Sequence, residues 1–73
     1  MSQVYSDHTK FELLPIRCDR ERKAKEQAQY LSFSSMFFYH VIWNNSGGYL
    51  IDITGILGHD DTLIATYHRG EIV

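Results

Sequence analysis

The 73-residue chain has a single cysteine, Cys18. One cysteine excludes an internal disulfide and any paired-cysteine metal site. There is also a single proline, Pro15. Proline cannot donate to a sheet ladder, so Pro15 reads as a strand edge or strand end. No apolar run approaches the roughly 20 residues of a membrane-spanning helix. The first ten residues, MSQVYSDHTK, lack the charged-then-apolar order of a signal peptide. The expectation is a cytoplasmic protein with no membrane partner, and the lone thiol agrees with a reducing compartment. Net charge is only −2, which points to no strongly charged partner. HxxxH, HExxH and CxxC spacings are absent, so no metal and no cofactor is expected.

What the chain does have is apolar and β-rich. Apolar residues make up 44%, enough for a packed core rather than disorder. Residues 36–54, MFFYHVIWNNSGGYLIDIT, are two runs of strand formers around a five-residue turn, Asn44-Asn45-Ser46-Gly47-Gly48. Facing Trp43 with Tyr49 also pairs Val41 with Ile51 and Tyr39 with Ile53, an apolar side assigned to the core. The other side then pairs Ile42–Leu50, His40–Asp52 and Phe38–Thr54. A one-residue slip would put Asp52 in the core, so burial should enforce this register.

The remaining elements follow from pattern. Residues 9–16 read as a first strand. Residues 19–34 read as the helix, with Asp19 as N-cap. Its buried stripe is Ala24, Ala28, Leu31 and Ser35, widened by Tyr30 or Phe33. Arg22, Lys25, Glu26 and Gln29 form the opposite side. Residues 55–61 are a turn. Residues 62–68 are the last strand, with Leu63, Ala65 and Tyr67 on the core side. Residues 69–73 are a tail. The expected architecture is β-α-β-β-β, an α+β fold: a small antiparallel sheet with one helix packed on one face. Residues 1–73 form one domain, with residues 1–8 and 70–73 expected to be flexible.

One helix leaves the other sheet face open, and that face is the expected protein-binding site: Phe38, His40, Ile42, Leu50, Asp52, Ile64, Thr66 and His68, with Thr54 beside them. The leading reading is a small non-catalytic protein-interaction module working through this face or an edge strand. Chains this short are frequent among accessory and inhibitor proteins of phages and mobile elements. The partner is another protein or a second copy, since small domains often complete their core by dimerising.

Two further readings stand behind it. Arg17, Arg20, Arg22, Lys23 and Lys25 form a basic segment that could contact nucleic acid. Glu21–Lys25 and Arg22–Glu26 are i, i+4 pairs, and with Asp19 they leave the segment only about +2. The third is a small enzyme built on a His40–Asp52 pair. No motif places a nucleophile there, and a plain cross-strand pair explains the two residues equally well. His59-Asp60-Asp61, with His8, His40 and His68, lacks metal-ligand spacing and reads as a polar turn. Gly47-Gly48 leads into a strand and so is a hairpin turn, not a phosphate loop. Cys18 stands just before the helix; the helix start and Arg17 and Arg20 would lower its pKa, but a lone cysteine with no histidine placed beside it reads as structural.

Overall fold

The computed structural model describes residues 15–73. Its elements are β1 (Ile16–Cys18), α1 (Glu21–Phe33), β2 (Tyr39–Asn44), β3 (Gly48–Asp52), β4 (Asp61–His68) and β5 (Glu71–Ile72). The strands form one antiparallel sheet in the order β1-β3-β2-β4-β5, and α1 covers one of its faces. The expected α+β class is what the structure shows, with five strands in place of four. The first strand expected over residues 9–16 lies outside the described residues except for Pro15 and Ile16. So do residues 1–8. The strand that follows Pro15, Ile16–Cys18, pairs with β3 at one edge of the sheet, where a missing N–H costs least.

α1 follows from its small residues. Ala24, Ala28 and Ser32 recur every four residues and all are fully buried. Side chains this small let the helix axis approach the sheet closely. Leu31 packs at the margin of the same core. Tyr30 and Phe33 do not widen the stripe; both project outward. The N-cap is Arg20, without a side-chain cap, rather than Asp19.

The hairpin register is as read from the sequence. Trp43 faces Tyr49, Val41 faces Ile51, Ile42 faces Leu50 and His40 faces Asp52. β3 ends at Asp52, so Tyr39–Ile53 and Phe38–Thr54 lie beyond the ladder. Asn44 and Gly48 belong to the strands, which shortens the loop to Asn45, Ser46 and Gly47. The Asn44 side-chain carbonyl accepts from the Ser46 and Gly47 N–H groups at 2.9 and 2.8 Å, and Gly48 takes φ 81°, as only glycine does cheaply. Val41, Ile51, Tyr39, Ala65 and Tyr67 form the core against Ala24 and Ala28.

β4 departs from plain alternation. Val41 pairs with Ala65 but Ile42 pairs with Leu63, so Ile64 is an extra residue in a β-bulge. The bulge turns Ile64 toward the core cluster and leaves Leu63 opposite Ile42, half exposed. Both residues thus exchange the sides expected for them.

Residues 69–73 are not a tail. Arg69 (φ 56°) and Gly70 (φ 83°) make the two-residue turn with both φ values positive that joins twisted strands without splaying them. β5 then pairs with β4 through His68–Glu71 and Tyr67–Ile72. The helix clamps this turn. Gly70 N–H donates to Ser32 Oγ at 2.8 Å, Ser32 Oγ donates to the Gln29 carbonyl at 2.8 Å, and Gln29 Nε2 donates to the Gly70 carbonyl at 2.8 Å. Gln29, expected on the solvent side, is therefore part of the fold's own locking.

Candidate protein-binding surface

The face expected to be open is crossed by the chain itself. β3 and β4 lie on either side of β2 and are both antiparallel to it. They therefore run in the same direction, and residues 53–60 must return the chain from one end of the sheet to the other. α1 occupies one face, and the connection passes over the other. Gly55 sits against the His40 ring there; an added Cβ would lie 3.0 Å from Nε2. Ile42, also on this face, is only 2% exposed and stands outside the helix-side core. Its expected role as an exposed anchor is thereby corrected. A bulky β-strand residue flanked by Leu50 and Leu63 and 2% exposed is core in its own right.

The other residues expected on this face are dispersed into structural contacts. His40 Nδ1 lies 3.0 Å from Thr66 Oγ1. Asp52, though in register with His40, turns its carboxylate to the Ile53 N–H and the Thr54 hydroxyl, both at 2.8 Å. The two share no hydrogen bond, so they do not form a dyad. Phe38 stacks on His68 with ring centroids 4.1 Å apart and planes 9° apart. Leu50 is half-buried, and Ile64 belongs to the bulge. Of the eight, Phe38 alone remains a large exposed apolar group. On the crossover, Ile56 and Leu57 are exposed between segments tied down by Asp52 and Asp61.

The polar turn read at residues 58–61 is real. Gly58 N–H donates to Asp61 Oδ2 at 2.7 Å, and Asn44 Nδ2 donates to Asp61 Oδ1 at 2.6 Å. These two bonds, the Asn44 bond first, hold the Asp61 carboxyl below its ordinary pKa. Among the described residues no three metal-ligating side chains gather at one place.

The basic segment is split. Lys25 is 2.9 Å from Glu21, and that hydrogen bond raises its pKa. Arg22 is 3.7 Å from Glu26. Arg17, Arg20 and Lys23 have no ion-pair partner among the described residues. Arg17 reaches the Gly47 carbonyl at 3.5 Å. Arg17, Lys23, Cys18, Asp19, Gly47 and Gly48 line a cleft of about 550 Å³. The Cys18 thiol is raised, not lowered: burial at the end of β1 outweighs the pull of Lys23, and Asp19 adds to the rise.

Another exposed apolar surface lies where α1 ends beside β5. Tyr30, Phe33, Met36, Ile72 and Val73 are 64–80% exposed. Tyr30 and Phe33 are three residues apart, on one side of the helix. The Phe33 ring lies over Gly70, the turn that leads into Ile72. Ile72 pairs with Tyr67 and therefore points to the helix side of the sheet. The segment from Tyr30 to Phe38 carries no charged residue. From the sequence, Tyr30 or Phe33 is expected on the buried stripe rather than on this surface, and Ile72 and Val73 carry no signal because no β-turn is read at Arg69-Gly70.

No protein-family model matches this chain, and comparison with curated proteins and with solved structures finds no similar protein. No helix among the described residues is long and apolar enough to cross a membrane.

Proposed function

We propose that this protein is a small non-catalytic protein-binding module whose contact surface is the apolar end formed by α1 and β5. One observation carries the reading: Tyr30, Phe33, Met36, Ile72 and Val73 stand 64–80% exposed on adjoining elements. Exposed apolar groups gathered in this way mark interaction sites, and aromatic and methionine side chains are the usual anchors. The face first expected to do this work is occupied by the crossover and by internal hydrogen bonds. The test is affinity capture from the native host after nuclease treatment, with wild type, Phe33→Glu and Met36→Glu. A protein retained by wild type and lost with both variants supports the reading. A protein retained equally by all three sinks it.

A second reading, nucleic-acid binding, is favoured by one observation: Arg17 and Lys23, which line the cleft beside β1, and Arg20 between them in the chain have no ion-pair partner among the described residues. Affinity would then fall steeply with salt, because each phosphate contact releases counterions. Arg20→Ala with Lys23→Ala would weaken all sequences alike. No gel shift at low salt would remove it.

A further inference from the structure

We infer that the partner of the α1–β5 end is a second copy of this chain, joined by antiparallel pairing of β5 with its two-fold mate. The inference rests on the protein-binding reading above and goes beyond it by naming the occupant. Three features of the surface fit a copy of itself.

The first is the state of the strand edge. β5 is the outermost strand. Val73 N–H donates to the Thr66 carbonyl at 2.9 Å, and Glu71 faces His68 beside the turn. Alternate residues of an antiparallel strand turn their backbone groups to the same side. Ile72, between the two, therefore directs its N–H and C=O away from β4. Two copies related by a two-fold axis at Ile72 would exchange both bonds. The sheets would become continuous, and both helices would lie on the same face.

The second feature is area. Aromatic side chains present about 150–250 Å² each. At the exposures given, Tyr30, Phe33, Met36, Ile72 and Val73 offer on the order of 600 Å² per subunit. That approaches the roughly 800 Å² per partner of a stable interface. In the two-fold arrangement Tyr30 and Phe33 of each helix, with Met36 three residues beyond its end, flank the new strand pair.

The third feature is charge. A two-fold contact sets a patch against itself, so a patch of one sign would repel itself. The basic cleft around Arg17 and Lys23, and the Asp60–Asp61 end of the crossover, each fail that condition. The α1–β5 end meets it: the side chains of its five apolar residues are neutral, and the charged side chains nearest Ile72 in the chain, Arg69 and Glu71, are of opposite sign. The Gln29–Gly70–Ser32 hydrogen bonds fix the helix end to the turn, so little ordering is left for association to impose.

The test is sedimentation equilibrium of the whole chain over roughly a hundredfold concentration range, with disulfide trapping alongside. Directly opposed residues of a hydrogen-bonded antiparallel pair lie about 5.5 Å apart at Cα, within disulfide reach. In a Cys18→Ser background, Ile72→Cys should oxidise to a covalent dimer, whereas Ile56→Cys, more exposed still on the crossover, should not. Phe33→Glu and Met36→Glu should each weaken the dimer by about 30-fold or more while keeping the wild-type circular dichroism spectrum. A chain that sediments as a monomer throughout overturns self-pairing. The protein-binding reading is then judged on the capture experiment alone. A dimer that persists in both charge variants, or that traps through Ile56→Cys in preference to Ile72→Cys, also overturns the inference, because the copies then meet elsewhere.

Discussion

The molecule holds two hairpins that are built in opposite ways. In β2–β3 the turn satisfies itself: Asn44 accepts from Ser46 and Gly47 within the loop. In β4–β5 the turn is satisfied by the helix, through Ser32 and Gln29. β2 is the central strand, with α1 on one face and Gly55 of the crossover against His40 on the other. β5 is two residues long and has one neighbour. The difference shows where stability and function separate. The covered hairpin holds the fold together. The edge hairpin is held in place by it, and so can expose apolar side chains without unfolding.

The largest expected effect tests that separation directly. Ile42→Glu places a charge at a site that is 2% exposed, and an unpaired buried charge costs several kcal/mol. Against a total stability of about 5–15 kcal/mol, the variant should be unfolded or melt far below wild type. Ile72→Glu, at an exposed edge, should melt within a few degrees of wild type when both are measured dilute. If thermal melting followed by circular dichroism shows equal losses, the two hairpins are not different in kind.

Much of the covered hairpin was legible because its determinants are local. Asn-Asn-Ser-Gly-Gly between apolar runs specifies a turn, and the alternation about Trp43 and Tyr49 specifies a register that burial then enforces. Ala24 and Ala28 marked the helix face by size alone. The edge hairpin was not legible. Arg69 at φ 56° is a poor turn former by type, and what holds it there is Ser32 and Gln29, some forty residues away. The strand order was equally hidden. Pairing of β4 with β2, not β3, sends residues 53–60 across the sheet, and no local signal carries that. Ile42, correctly placed on the face away from α1, is buried rather than open. The bulge at Ile64 is a further non-local adjustment, and it moved Ile64 off the expected surface and Leu63 onto it.

The positive-φ glycines of the two turns, Gly48 and Gly70, sharpen the comparison. Gly48→Ala meets only the Cys18 carbonyl, at 3.4 Å, so its cost should be the backbone one, about 1–2 kcal/mol. Gly70→Ala pays the same backbone cost and in addition collides with the Phe33 ring, which should add about 1 kcal/mol. Phe33→Ala should remove that excess in the double mutant. Urea titration of the four variants reads the coupling. Strict additivity would mean that the ring does not rest on the turn.

A smaller contrast lies in the hydrogen bonds. Ser32→Ala deprives the buried Gly70 N–H of its acceptor, at a cost of about 1–3 kcal/mol. Asn44→Ala frees N–H groups that water can reach, so its loss should stay nearer 0.5–1 kcal/mol. Equal shifts in the denaturation midpoint would show that the self-satisfied turn depends on its side chain as much as the clamped one does.

The smallest effect is a pH dependence confined to the covered hairpin. Asp61 joins the start of β4 to the end of β2 through the Asn44 amide, and closes the crossover through Gly58 N–H. Both bonds favour the carboxylate and hold its folded pKa below the unfolded value, which is about 3.9. A depressed carboxyl pKa contributes stability that is fully present above the unfolded value. It is lost as pH falls through the folded one, because the unfolded chain binds the proton first. Wild type should therefore lose stability between about pH 5 and pH 2 more steeply than Asp61→Asn, whose amide does not titrate. The carboxylate is exposed, so solvent screening keeps the difference small. Parallel pH profiles from urea midpoints would mean that the Asn44–Asp61 bond adds nothing measurable, and that the β2–β4 junction rests on its backbone ladder alone.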